Sequence, residues 1–108
     1  MVELDGLDAR LKRVRIAMGL SRRSFSLTAG LSAPVVGQIE RREADPKRDT
    51  LGKLASRADV PVEWLGYGVL SKSVRASLNA RAAALGVRVE WLIDGEGPRA
   101  RAPEALAA

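Results

Sequence analysis

Apolar residues recur through the first two thirds of the chain at three- and four-residue steps, punctuated by glycine and proline. Leu7, Leu11, Val14 and Met18 form the first such stripe, a spacing that lines one face of an α-helix. Asp5 or Asp8 is placed to cap its start, and Gly19 ends it. Ser21 then caps a second short helix, which holds Phe25 and Leu27 and stops at Gly30. Ser32 is the expected cap of a third, with Val36 and Ile39 turned inward. Pro34 falls in its first turn, where a missing N–H does no harm. The polar run from Arg41 to Arg48 contains Pro46 and reads as a loop. A fourth helix starts at Asp49 or Thr50 and puts Leu51, Leu54, Ala55 and Ala58 on one side. A fifth runs from Pro61 through Val62, Trp64 and Leu65 until Gly66 and Gly68 stop it. No stretch sustains two-residue alternation, so an all-α fold without a sheet is expected.

Beyond Gly68 the pattern returns. Leu51, Ala55, Val60, Val62, Glu63, Trp64, Leu65 and Gly68 recur 27 positions later as Leu78, Ala82, Val87, Val89, Glu90, Trp91, Leu92 and Gly95. Residues 71–94 therefore read as a second copy of helices four and five without the three helices that precede them. This divides the chain into a domain over residues 1–68, a two-helix appendage over 69–95 and a flexible tail over 96–108, where two prolines and little apolar bulk argue against packing. Trp64 and Trp91 read as core. Trp91 and Leu92 are expected to be buried, with a dimer contact as the reason.

Composition removes several chemistries. The 108 residues include no cysteine and no histidine, so a disulfide framework, thiolate chemistry and the common zinc sites are not expected. The usual general acid/base near neutral pH is missing as well, and no nucleotide-binding G-x-x-x-x-G-K-[ST] string occurs. Neither an enzyme nor a cofactor is expected. Absent cysteine fits a reducing cytosol, and with no signal-peptide pattern and no membrane-length apolar run to be read, a cytoplasmic protein is expected. The net charge of +5 favours polyanions but is spread thinly, about +3 over residues 1–68 and +2 over 69–108. Four aromatic residues are too few for a single-strand stacking platform.

One ordered set of residues carries a resemblance. Arg15-x-x-x-Gly19-Leu20-Ser21 is followed by Ala29-Gly30-Leu31-Ser32, then Ile39–Glu40, then Leu51-x-x-Leu54-Ala55, then Val60-x-Val62-x-Trp64–Leu65. The segment from Leu11 to Leu65 resembles the phage repressor and Cro-type helix-turn-helix domain of the XRE family. The resemblance implies a five-helix, lambda-repressor-like bundle, here with the two-helix C-terminal appendage, and double-stranded DNA as partner. A helix pair broken at Gly30 agrees with that layout, and a major groove about 12 Å wide admits the second helix of the pair. Its outer face would present Ala33, Pro34, Gly37 and Gln38 as the base-reading group.

Gln38 suits a bidentate bond to adenine. Ala33 and Pro34 carry no side-chain donors where the family usually has polar groups, so readout leans on Gln38 and on DNA shape. Phosphate contacts are expected from Ser21 and Arg22 at the start of the second helix, from Ser32, and from Arg41, Arg42, Lys47 and Arg48 beyond the third. Arg23 reads as a solvated charge. Arg42 stands where glycine is common in the family, which implies a strained or differently shaped helix end. The resemblance pairs Arg15 with Glu40 as scaffold. A repressor acting as a homodimer is the leading expectation. The alternative is an interaction module for a partner protein, such as an antitoxin, which Ala33 and Pro34 favour.

Overall fold

α1 (Leu7–Met18) is the helix on which the rest is assembled. The computed structural model describes residues 6–100, and α1 is followed there by α2 (Arg22–Thr28), α3 (Val35–Glu40), α4 (Arg48–Ala58), α5 (Val62–Tyr67), α6 (Lys72–Leu85) and α7 (Val89–Asp94). No strand forms among the described residues. None of these helices is long and apolar enough to cross a membrane. Asp5 and residues 101–108, to which a cap and most of the flexible tail were assigned, lie outside the described residues.

Several helix ends differ from their sequence-based positions for local reasons. α1 is capped by Gly6 with no side-chain cap. Asp8 sits inside the first turn, where its carboxylate faces the positive end of the helix and accepts from Arg42 Nε at 3.1 Å. Ser21 caps α2 as expected, its hydroxyl accepting from the Ser24 N–H at 3.0 Å. Ser32 does not cap α3. A cap there would serve the amides two and three residues on; Pro34 has none, and the Val35 N–H bonds to the Ser32 carbonyl at 3.2 Å. α3 begins at Val35, two residues later than a cap at Ser32 implies. α4 begins at Arg48 with Lys47 as its cap residue, ahead of Asp49 and Thr50. Gly66 lies inside α5 rather than ending it: a Cβ there would meet a Leu51 methyl at 3.0 Å. The stop is Gly68, at φ 73°.

The repeat is structural down to individual hydrogen bonds. The Val60 N–H bonds to the Ala55 carbonyl at 3.1 Å, and the Val87 N–H bonds to Ala82 at the same distance. Gly68 donates to Trp64 at 2.9 Å and Gly95 donates to Trp91 at 2.8 Å. Asp59 and Gly86 occupy the same left-handed turn, at φ 59° and 73°. Each hairpin is then fixed to α1 by an arginine. Arg10 Nε donates to the Leu65 carbonyl at 3.0 Å and Arg13 Nε donates to the Leu92 carbonyl, also at 3.0 Å. Leu65 and Leu92 are repeat partners. The two carbonyls lie in the last turns of α5 and α7, where backbone acceptors lack helical partners and the dipole favours a cation.

One contiguous apolar cluster runs from Leu11 and Val14 of α1 through Trp64 and Leu65 to Leu78, Leu92 and Ile93. Leu92 is fully buried, but its cover comes from the chain's own α1, which α7 packs against, so no dimer contact is needed to bury it. Trp91 is only half-buried. The first residues assigned to the tail are also held: the Arg88 N–H donates to the Arg99 carbonyl at 2.9 Å, and Val87 bridges Ala100 in antiparallel sense.

Candidate nucleic-acid interface

α2 and α3 meet through a turn whose geometry depends on two residues. Gly30 stands at φ 83°, a left-handed conformation that a side chain resists. This turn lets the Leu31 N–H close on the Ser26 carbonyl at 2.9 Å. The Ser26 side chain then spans the two helices. Its hydroxyl accepts from the Val36 N–H at 2.9 Å and donates to the Arg22 carbonyl at 2.9 Å, fully buried. One of the free amides of the α3 N-terminus is thus capped from α2. Beneath, Phe25, Val36 and Ile39 anchor the pair in the core. Ser26 was not legible as a positioning residue. The signal available was a small polar residue directly after the buried Phe25.

With Val36 and Ile39 fixed inward, the helical repeat puts Pro34, Gly37 and Arg41 on the opposite stripe, flanked by Ala33 and Gln38. Pro34 is exposed, and Ala33 and Gln38 are half-exposed. Among the described residues the Gln38 side-chain amide makes no hydrogen bond. Gly37 departs from its expected place on an open face. It is buried under two arginines, and a Cβ there would lie 3.0 Å from Arg41 Nη1 and 3.5 Å from Arg22 Cδ.

The charges around α3 are extensively paired. The Glu40 side chain is only 2% exposed and receives two guanidinium groups. Arg15 donates through Nε at 2.6 Å and Nη2 at 3.1 Å, and its Nη1 reaches the Leu20 carbonyl at 3.1 Å. Arg22 Nε donates to the same carboxylate at 3.0 Å. Glu40 thereby ties α1, α2 and α3 together, the scaffold role its resemblance implied. Arg41 makes a two-pronged contact with Glu43, through Nε at 3.0 Å and Nη2 at 3.2 Å. That hydrogen bond, reinforced by the opposite charge, holds the Glu43 carboxyl below its ordinary value and raises Arg41 above its own. Arg42 adopts φ 61°, the left-handed position that ends α3. There its N–H bonds to the Ile39 carbonyl at 3.0 Å, and the Glu43 N–H bonds to Gln38 at 2.7 Å. A non-glycine residue there costs on the order of 1–2 kcal/mol, and the Arg42–Asp8 ion pair holds it.

Of the expected site residues, Ala33 and Pro34 lie in the turn that leads into α3 and Arg42 ends it, paired with Asp8; the others fall into three groups. Ser21, Arg22, Gly37, Gln38 and Arg41 converge on the outer side of α3 and the α2 terminus that abuts it. Lys47 and Arg48 stand exposed at the start of α4, without an ion pair among the described residues. Ser32 is exposed in the turn before α3. α7 packs on α1, and α6 packs on α7, so the C-terminal hairpin leaves the outer side of α3 open in the single chain.

No curated protein matches the chain. The family model described as helix-turn-helix matches residues 11–65, more than half of the sequence and the span from within α1 to Leu65 of α5. With that match laid over a helix pair of this geometry, the chain belongs to the helix-turn-helix family of repressor and Cro-type (XRE) DNA-binding transcription regulators.

Proposed function

We propose that the protein is a sequence-preferring binder of duplex DNA that represses transcription as a homodimer, with α3 laid in the major groove. The observation that carries this reading is the outer side of α3 together with the turn that leads into it: exposed at Pro34, half-open at Ala33 and Gln38, and anchored from behind by Val36 and Ile39. In this proposal Gln38 reads adenine, while Ala33 and Pro34 supply apolar contact to thymine methyls. Ser21, Arg22, Ser32, Lys47 and Arg48 contact phosphates, and Arg42 shapes the end of α3 beside them. Residues 1–68 do the DNA work and residues 69–95 brace it through α1. A single recognition helix gives modest affinity, which favours two copies on half-sites about 34 Å apart.

Selection of bound duplexes from a random pool tests this. Enrichment of an inverted repeat is the expected result, with affinity falling as salt rises. Failure to bind any duplex at low salt refutes it. The second reading, an interaction module for a partner protein, would then take over. It is favoured by one observation, the absence of side-chain donors at Ala33 and Pro34 in the turn that leads into α3.

A further inference from the structure

Glycine inside a helix as short as α3 has a cost, because alanine would serve the backbone better by roughly 1 kcal/mol. Gly37 occupies the middle of that helix, and the space its side chain would fill is taken by Arg41. Arg41 is the C-terminal cap residue of α3, four positions on and on the same outward stripe. A long side chain on a helix leans back toward the N-terminus, and here it carries the guanidinium onto the Gly37 backbone, with Nη1 3.0 Å from the missing Cβ position. The result is a planar donor fork lying along the face that enters the groove, on which the other residues are apolar except Gln38.

Arg22 and Arg41 both reach Gly37, but they are held differently. Arg22 is fixed by Glu40, whose carboxylate is nearly fully buried and shared with Arg15. Arg41 is held by Glu43 alone, and both side chains of that pair are about half exposed, at 50% and 54%. An exposed pair of this kind contributes little and exchanges readily for a better acceptor. The two arginines are about equally exposed, so the difference lies in the partner: Arg22 is tied to a buried carboxylate and Arg41 to an exposed one.

We propose that Arg41 reads a guanine edge, and that Gly37 is the platform which lets its guanidinium lie in the groove rather than beside it. This rests on the duplex-binding reading above. The arginine fork matches the O6 and N7 acceptors of guanine, so a preferred half-site contains a guanine read by Arg41 beside an adenine read by Gln38. Glu43 keeps the fork aligned until the base replaces it.

The test is pool selection with the full-length protein and with Arg41→Ala and Gly37→Ala. The expected result is loss of one guanine column with Arg41→Ala, with binding to the preferred site weakened roughly 5- to 150-fold and binding to a site already changed at that base nearly unaltered. Gly37→Ala should blur the same column while the melting temperature holds or rises, because alanine favours the helix and displaces only the end of a flexible side chain. A uniform loss across all sequences with Arg41→Ala, together with a shallower salt dependence, makes Arg41 a phosphate contact and overturns the inference. So does a guanine column that survives either substitution. If the unsubstituted protein binds no duplex at all, the duplex-binding reading itself has failed. Selection of a site by the unsubstituted protein that is indifferent to Arg41 ends only this inference.

Discussion

Replacing Ser26 by alanine removes one oxygen from a place that water cannot reach. The Val36 N–H at the start of α3 then loses its acceptor, and Val36 is itself fully buried. Leaving a buried donor unmatched costs about 1–3 kcal/mol. Alanine returns up to about 0.5 kcal/mol in helix propensity to α2, so the net loss should be about 1–2 kcal/mol. For a chain of this size that corresponds to a fall in melting temperature on the order of 5–15 °C. Urea unfolding followed by tryptophan emission measures it directly through the buried Trp64. The midpoint should drop with an unchanged slope, and the Val36 amide should exchange faster with solvent. DNA affinity should fall further than the stability loss explains, because the α2–α3 crossing is what the hydroxyl holds. A Ser26→Ala protein as stable as the unsubstituted one would show that Phe25, Val36 and Ile39 set the crossing by packing alone.

Other consequences can be checked separately. Glu40→Ala should destabilise by roughly 3–5 kcal/mol, since it strands the mostly buried Arg15 guanidinium; a loss below about 1 kcal/mol in chemical denaturation would mean that Arg15 finds water. Leu92→Ala and Leu65→Ala should each cost about 2–5 kcal/mol in one shared unfolding transition, because both side chains are fully buried in one continuous core. A separate early transition in the Leu92→Ala protein would instead make α6 and α7 an independent unit. An NMR titration of Glu43 should give a midpoint below the ordinary 4.5, returning toward that value in Arg41→Ala. Because the folded-state carboxyl is depressed, the small stabilisation is present above its ordinary value and is lost as pH falls through the lowered midpoint.

The helices were legible because burial leaves a period in the sequence, which located the first five, and because the 27-position repeat located α6 and α7. What a pattern of apolar residues does not encode is the surface that covers a face. Leu92 reads as buried from its spacing alone, yet whether α1 of the same chain or a second copy covers it depends on tertiary docking. The docking signal was present in a form that apolar periodicity ignores, as Arg10 and Arg13 on α1. Both look like solvated charges in sequence, and both serve as caps for other helices. The start of α3 was misplaced for a related reason. Ser32 has the right chemistry for a local cap, but Pro34 removes one of the donors such a cap would serve, and the neighbouring helix supplies the Ser26 hydroxyl instead. The candidate site was legible as a face, through the 36–39 spacing. It was not legible as a set of contacts, because the position of Arg41 over Gly37 depends on a side-chain direction.

The same pairings change what the positive charge can mean. Arg10 and Arg13 cap α5 and α7, Arg81 caps the Ala58 carbonyl at the end of α4, and Arg15 and Arg22 neutralise Glu40. These cations hold helices together and were never available to a polyanion without cost. The cations near α3 that stand without an ion pair among the described residues are Arg23, Lys47 and Arg48, with Arg41 released only by giving up Glu43. A net charge of +5 therefore overstates the field at the interface. A duplex binder with few unpaired cations gains less from sequence-independent attraction than its net charge suggests, because that attraction grows with the number of phosphates neutralised. In the proposed reading its discrimination comes from DNA shape and from the few groups that touch base edges. In the proposed reading that places weight on Gln38 and Arg41, and a glycine that weakens α3 would have a use there, because it leaves room for the Arg41 guanidinium.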